Sequence, residues 1–216
     1  ITLKKRADLE IPDPPPKLTL LNDLSPLLPA TVVFSFQVDN ISVDADTNIG
    51  IILDNNYYQT FTTNQCQIEK MGAGYHLLRA FLLHSSGEAY KLPSCWVECE
   101  FFVLKERVQL ERGYMFGSPS VTLLSPRTDL SRAQASRLLL DFFVRNCEIN
   151  EVRGFSIKVL VNSKEIGVIN SWCAYELLHL PAGDVHLQLV LINPHGDEVD
   201  RPPYVYDPFR FRIALS

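Results

Sequence analysis

The stretch GYHLLRAFLLHSSGE, Gly74 to Glu88, returns as GDVHLQLVLINPHGDE at Gly183 to Glu198. A chain that writes one element twice is read first as a tandem repeat. The rest of the sequence agrees. PKLTLL (Pro16 to Leu21) matches PSVTLL (Pro119 to Leu124) at an offset of 103, and FSFQVDN (Phe34 to Asn40) matches LDFFVRN (Leu140 to Asn146) at 106. IGIILD (Ile49 to Asp54) matches IKVLVN (Ile157 to Asn162) at 108, and His76 falls on His186 at 110. An offset that grows in small steps is what loop insertions produce. The 216 residues suffice for two domains of about 100 residues, each with its own core. The expected organisation is a tail over residues 1–15, a repeat over 16–106, a linker over 107–118 and a repeat over 119–216. The linker lies within KERVQLERGYMFGSP, where charge rises and strand alternation lapses.

Period-two alternation sets the class. Val32, Phe34, Phe36 and Val38 alternate with Val33, Ser35, Gln37 and Asp39, the pattern of a half-buried strand. It recurs at Leu138, Leu140, Phe142 and Val144, with Asp141 and Arg145 turned the other way, and at Phe155 to Val161 and Val185 to Leu191. The last strand sets Phe209, Phe211, Ile213 and Leu215 inward, Arg210, Arg212 and Ser216 outward. Such strands belong to antiparallel sheets with one wet face. Turns fall at Asp54-Asn55-Asn56, Ser85-Ser86-Gly87, Pro181-Ala182-Gly183 and Pro194-His195-Gly196. Ser131 to Gln134 offers one helix start, a capping box, while Pro26 and Pro29 restrict Ser25 to Pro29 to a turn at most. The expected fold is all-β: two tandem immunoglobulin-like or fibronectin-like β-sandwiches. Phe101-Phe102 and Leu177-Leu178 put apolar side chains on both faces of their strands, so one face should be covered by the sister domain or another protein.

With both repeats in view, the chain resembles a family of uncharacterised, mostly bacterial proteins with two tandem β-sandwich repeats and no assigned activity. LRAFLLHSSGEAYK (Leu78 to Lys91), LLDFFVRN (from Leu139) and HLPAGDVHLQLVLINPHG (from His179) carry the resemblance. Where that family has His-Glu-Ser, this chain has Gly87-Glu88-Ala89, so chemistry resting on that histidine is not expected here.

Several function classes are disfavoured. A net charge of −5 supplies no basic field for nucleic acid, and Lys4-Lys5-Arg6 reads as part of a solvated tail. No run has the roughly 18 apolar residues of a membrane span. Five cysteines, an odd number at irregular spacing, suit unpaired thiols in a reducing, cytoplasmic setting. Asn40-Ile41-Ser42 fits a glycosylation acceptor, a common chance triplet. No nucleophile elbow, P-loop or dinucleotide fingerprint is present. Glu98 and Glu100 share one strand face and read as solvated; Cys95 and Cys99, beside Trp96, lack a basic neighbour that would activate a thiol. His76 and His186 sit where a turn hands over to a strand and are expected to bond loop carbonyls. DADTNIG sets Asp44, Asp46 and Asn48 at the first, third and fifth places of a calcium loop, but its glycine comes late and position 12 is Asn55 rather than Glu.

The expected function is a non-catalytic protein-interaction or scaffold module, without cofactor. Its partner would be another protein, held at a sheet edge or in an inter-domain groove. The rival is a carbohydrate-binding module using Tyr57, Tyr58, Trp96, Trp172 and Tyr175, aromatic residues able to stack on sugars. Oligomeric state is not legible in the sequence.

Overall fold

The computed structural model describes residues 1–24, 29–55, 57–103, 117–199 and 209–214. The strands fall into two units, one of Leu9–Phe116 and one that joins Ile1–Asp8 to Gly117–Ser216. The chain opens with β1 (Thr2–Lys5), which belongs to the second of these.

In the first unit, seven segments with apolar residues at alternate positions form β2 (Lys17–Leu20), β3 (Val32–Asp39), β4 (Asn48–Leu53), β5 (Tyr57–Phe61), β6 (Gln65–Ile68), β7 (Gly74–Leu83) and β8 (Trp96–Val103). They pair antiparallel into a sheet of order β2-β3-β6 and another of order β5-β4-β7-β8. Phe34, Phe36, Ile49, Ile51, Leu78, Leu82 and Phe101 meet in the core. The second unit repeats this with β9 (Ser120–Ser125), β10 (Arg137–Arg145), β11 (Ser156–Val161), β12 (Lys164–Ile169), β13 (Tyr175–Leu178), β14 (Gly183–Ile192) and β15 (Phe209–Ile213). Its sheets are β1-β13-β10-β9 and β12-β11-β14-β15, closed over Leu140, Phe142, Ile157, Val159 and Val185. The repeated seven strands, three facing four, are the fibronectin-like arrangement of a β-sandwich.

The backbone records the duplication more sharply than the side chains. Left-handed φ values occur in pairs: Asn40 (67°) with Asn146 (54°), Asp54 (54°) with Asn162 (51°), Asn55 (57°) with Ser163 (64°), and Lys70 (56°) with His179 (60°). Gly74 and Gly183, which start β7 and β14, have φ of 128° and 98°, and both strands are ten residues long. These pairs give offsets of 106, 108 and then 109. At 109, His76 corresponds to Val185, and His186 to Leu77. The alignment of the two histidines is therefore one residue out, and they point to opposite faces.

Other expectations change with the packing. Residues 1–15 are not a solvated tail: an open sheet edge offers unpaired backbone groups, and β1 takes them. Asp141 is fully buried, at a register shift between Asp141 and Phe142, where its carboxylate accepts the Phe142 N–H at 2.9 Å. The outer face of the first sandwich's four-stranded sheet is dry at its centre. Phe81 lies over Gly50, where a Cβ would come within 2.4 Å of the ring, and stacks with Tyr58 at 6.4 Å. Beside it Arg79, 2% exposed, binds Glu98 at 2.7 Å, so Glu98 balances a buried cation rather than facing solvent. Phe102 is covered edge-on by Tyr75 at 5.0 Å. Ser131 and Gln134 exchange bonds of 2.9 and 3.3 Å in a capping box that starts only a 3-10 turn. Residues 25–28, the linker from 107 to 116, Asn56 and Leu215 lie outside the described residues.

Candidate binding edges of the sandwiches

β1 is separated in sequence from the sandwich it completes by the whole first unit. It runs antiparallel to β13 with Thr2 opposite Leu178, Leu3 opposite Leu177, Lys4 opposite Glu176 and Lys5 opposite Tyr175. One further bond, from the Arg6 N–H to the Ala174 carbonyl at 3.1 Å, extends the ladder. Leu3 turns inward and packs on the second core. There it meets Gly167 of β12, where an added Cβ would stand 3.1 Å from a Leu3 methyl. The glycine makes the notch that admits the leucine. On the other face Lys4 stands across from Glu176, whose carboxylate is largely buried and bound by Arg137 at 2.9 Å. Backbone pairing supplies the adhesion, and the notch selects the inward side chain.

The corresponding edge of the first sandwich is β6. Matching β3 to β10 places Gln67 where Glu176 stands, and matching β4 to β11 places Gln59 where Gly167 stands. Among the described residues no strand lies beyond β6. Gln65 and Gln67 are exposed, while Cys66 and Ile68 face the core. This edge is polar outside, apolar inside and open to another extended segment. The segment before β2 packs locally instead: Leu9 joins the first core, and the Pro15 and Pro16 carbonyls accept bonds from Asn40 Nδ2 at 2.9 Å and Ser94 Oγ at 2.8 Å. The Asn40 amide of the glycosylation triplet is thus engaged.

Close to β6, the loop leading into β7 is tied to His76. Its Nδ1 lies 2.7 Å from Asp54 Oδ2 and its Nε2 lies 2.9 Å from the Gly72 carbonyl, with Phe101 stacked at 5.5 Å. Both ring nitrogens face acceptors, so the geometry asks for the doubly protonated ring. Burial opposes that charge, but the Asp54 carboxylate and the Gly72 carbonyl outweigh it and raise the imidazole above its ordinary value. The other Asp54 oxygen accepts the Leu77 N–H at 2.9 Å. In the second sandwich Asn162 keeps that backbone bond, to the His186 N–H at 2.8 Å, while Val185 fills the histidine's place.

The five nominated aromatic residues are divided between the two sandwiches. Tyr57, Tyr58 and Trp96 belong to the first sandwich, Trp172 and Tyr175 to the second. Tyr57 is exposed, Tyr58 and Trp96 are half-buried. Trp172 donates its indole N–H to the Phe142 carbonyl at 3.1 Å and packs edge-on to Phe143. Tyr175 is buried, with Ser171 Oγ 3.0 Å away, and burial pushes its phenol up to about 12. Tyr75, 44% exposed, is more exposed than any of them. Sequence reasoning missed it because it directly precedes the inward His76. Asp44 uses Oδ1 to accept the N–H groups of Asp46 and Thr47, at 2.8 and 3.0 Å, closing the turn before Asn48. No group of metal-ligating side chains assembles among the described residues. All five cysteines are free. Burial pushes Cys66 and Cys99 up to about 12, far from a reactive thiolate.

The folds and edges together define a class, a tandem fibronectin-like β-sandwich protein. No family model and no curated protein matches the chain. Among solved structures it is distantly similar to the fibronectin(III)-like modules of Clostridium thermocellum CbhA, at 13% identity and a TM-score of 0.31, covering 92% of this chain and 93% of that one. It is also similar to SGBP-B of the Bacteroides ovatus mixed-linkage glucan utilization locus, solved with a mixed-linkage heptasaccharide, at 11% identity and a TM-score of 0.29. That match covers 93% of this chain and 48% of the other.

Proposed function

We propose that this protein is a non-catalytic interaction module that holds extended segments of other proteins by strand addition, chiefly at the β6 edge of the first sandwich. One observation carries the reading: β1 adds to β13, the equivalent edge of the second sandwich, from a remote point in the sequence. Such an edge gains main-chain bonds from any extended partner and specificity from alternate side chains. The free cysteines, two of them buried and three half-buried, favour a reducing, cytoplasmic setting, and kinship with two-repeat proteins of no assigned activity belongs to the same proposal.

The test is photo-cross-linking from position 67, with a photoreactive residue replacing Gln67, in the native source. A companion protein joined at that position supports the reading; cross-linking no greater than from a matched reporter at Val152, on an exposed loop, would sink it. Carbohydrate binding is the rival, favoured by the exposure of Tyr57 and Tyr75. It predicts a glycan whose binding Tyr75→Ala removes, and the strand-addition reading predicts none.

A further inference from the structure

β1 is held by four residues of backbone and one inward side chain, and the chain writes the sequence of that strand twice. Leu3-Lys4-Lys5-Arg6-Ala7-Asp8-Leu9-Glu10 returns as Leu104-Lys105-Glu106-Arg107-Val108-Gln109-Leu110-Glu111. The two agree at both leucines, the first lysine, the arginine and the glutamate. The position that changes within the strand, Lys5 against Glu106, is exposed where the structure describes it. The repeat therefore reaches back into the segment preceding each sandwich, and the preserved residues include those that meet the seat on β13.

That seat has a notch at Gly167 that fits the leucine and an acidic residue, Glu176, opposite the lysine in the register. The β6 edge has Gln59 and Gln67 instead, so it lacks both. A Leu-Lys-x-Arg segment is thus matched to β13 rather than to β6, and each chain carries two such sequences for one seat. We propose that the β13 edge is an acceptor for Leu-Lys-x-Arg segments. Its second occupant is the segment of sequence 104–107 from another copy of this chain, taking the place of Thr2–Lys5. The proposal rests on the strand-addition reading above. Because donor and acceptor differ, the contact is heterologous and joins copies head to tail.

The experiment uses the full chain carrying Leu3→Asp, which cannot seat its own strand in the apolar notch. The probe is a fluorescein-labelled peptide of sequence VLKERVQLE, with a scrambled peptide as control, read by anisotropy, and self-association is read by sedimentation velocity. The Leu3→Asp chain should bind the peptide at least tenfold more tightly than the unaltered chain. It should self-associate, be dispersed by excess peptide, and lose both properties when Gly167→Leu fills the notch. A folded Leu3→Asp chain that binds the peptide no better than the scrambled control would overturn the acceptor. Peptide binding without self-association would overturn the second copy as occupant. Should Leu3→Asp fail to fold, Lys4→Glu sets like charges opposite Glu176 and is read by the same criteria. Failure here leaves the cross-link at position 67 intact, so the two readings fall separately.

Discussion

Asp54 and His76 show how one pair of residues can differ between copies of one fold. In the second sandwich the same places hold Asn162 and Val185, which keep the backbone bond and a buried side chain and drop the charge. His76 titrates above its ordinary value in the folded chain. Its contribution to stability is therefore complete below the unfolded imidazole value of about 6.5 and disappears as pH rises through the elevated folded value. The double variant Asp54→Asn/His76→Val, copying the sister repeat, should abolish that dependence. The urea midpoint of the first sandwich should fall between pH 6 and 9 in the unaltered chain and stay level in the double variant. Asp54→Asn alone should cost about 1–3 kcal/mol at pH 6, since it strips a buried imidazolium of its counter-charge. The sequence showed both histidines at a turn-to-strand junction but not their depths, because a one-residue slip in register exchanges the two faces.

Strands β3, β10 and β15 were legible because alternation writes the buried face directly into the sequence. β4 and β7 were harder: Arg79, Phe81 and Ile52 are buried although they lie on the face away from the core, where Arg79 binds Glu98 and Phe81 lies over Gly50, contacts that arise only once the strands are paired. Gly50→Ala should lower the stability of the first sandwich by about 1–3 kcal/mol, since its methyl must displace the Phe81 ring, and thermal unfolding would measure it. β1 left no signal at all. Four residues of Thr-Leu-Lys-Lys have one apolar side chain, and the partner strand is remote in the sequence, with Lys5 opposite Tyr175 and Thr2 opposite Leu178. Gly167→Leu should therefore weaken the second sandwich selectively, raising hydrogen exchange at Tyr175–Leu178 while leaving the amides of β7 unchanged.

At the scale of the whole chain, duplication was the most informative feature, and left-handed residues recur in pairs along the backbone from Asn40 and Asn146 onward. Function was less legible, because a sheet edge is a property of what is missing beside a strand and no residue type announces it. Among the described residues β13 is paired on both sides and β6 on one, although both take the same place in their sandwiches, and that difference underlies the proposed interaction role. The direct measurement is hydrogen exchange by mass spectrometry on the chain with and without residues 1–8. Loss of protection confined to Tyr175–Leu178 and its neighbours in β10, with the first sandwich unaltered, is the predicted result. Unchanged exchange at Tyr175–Leu178 would contradict the account, since β13 would then not depend on an added strand.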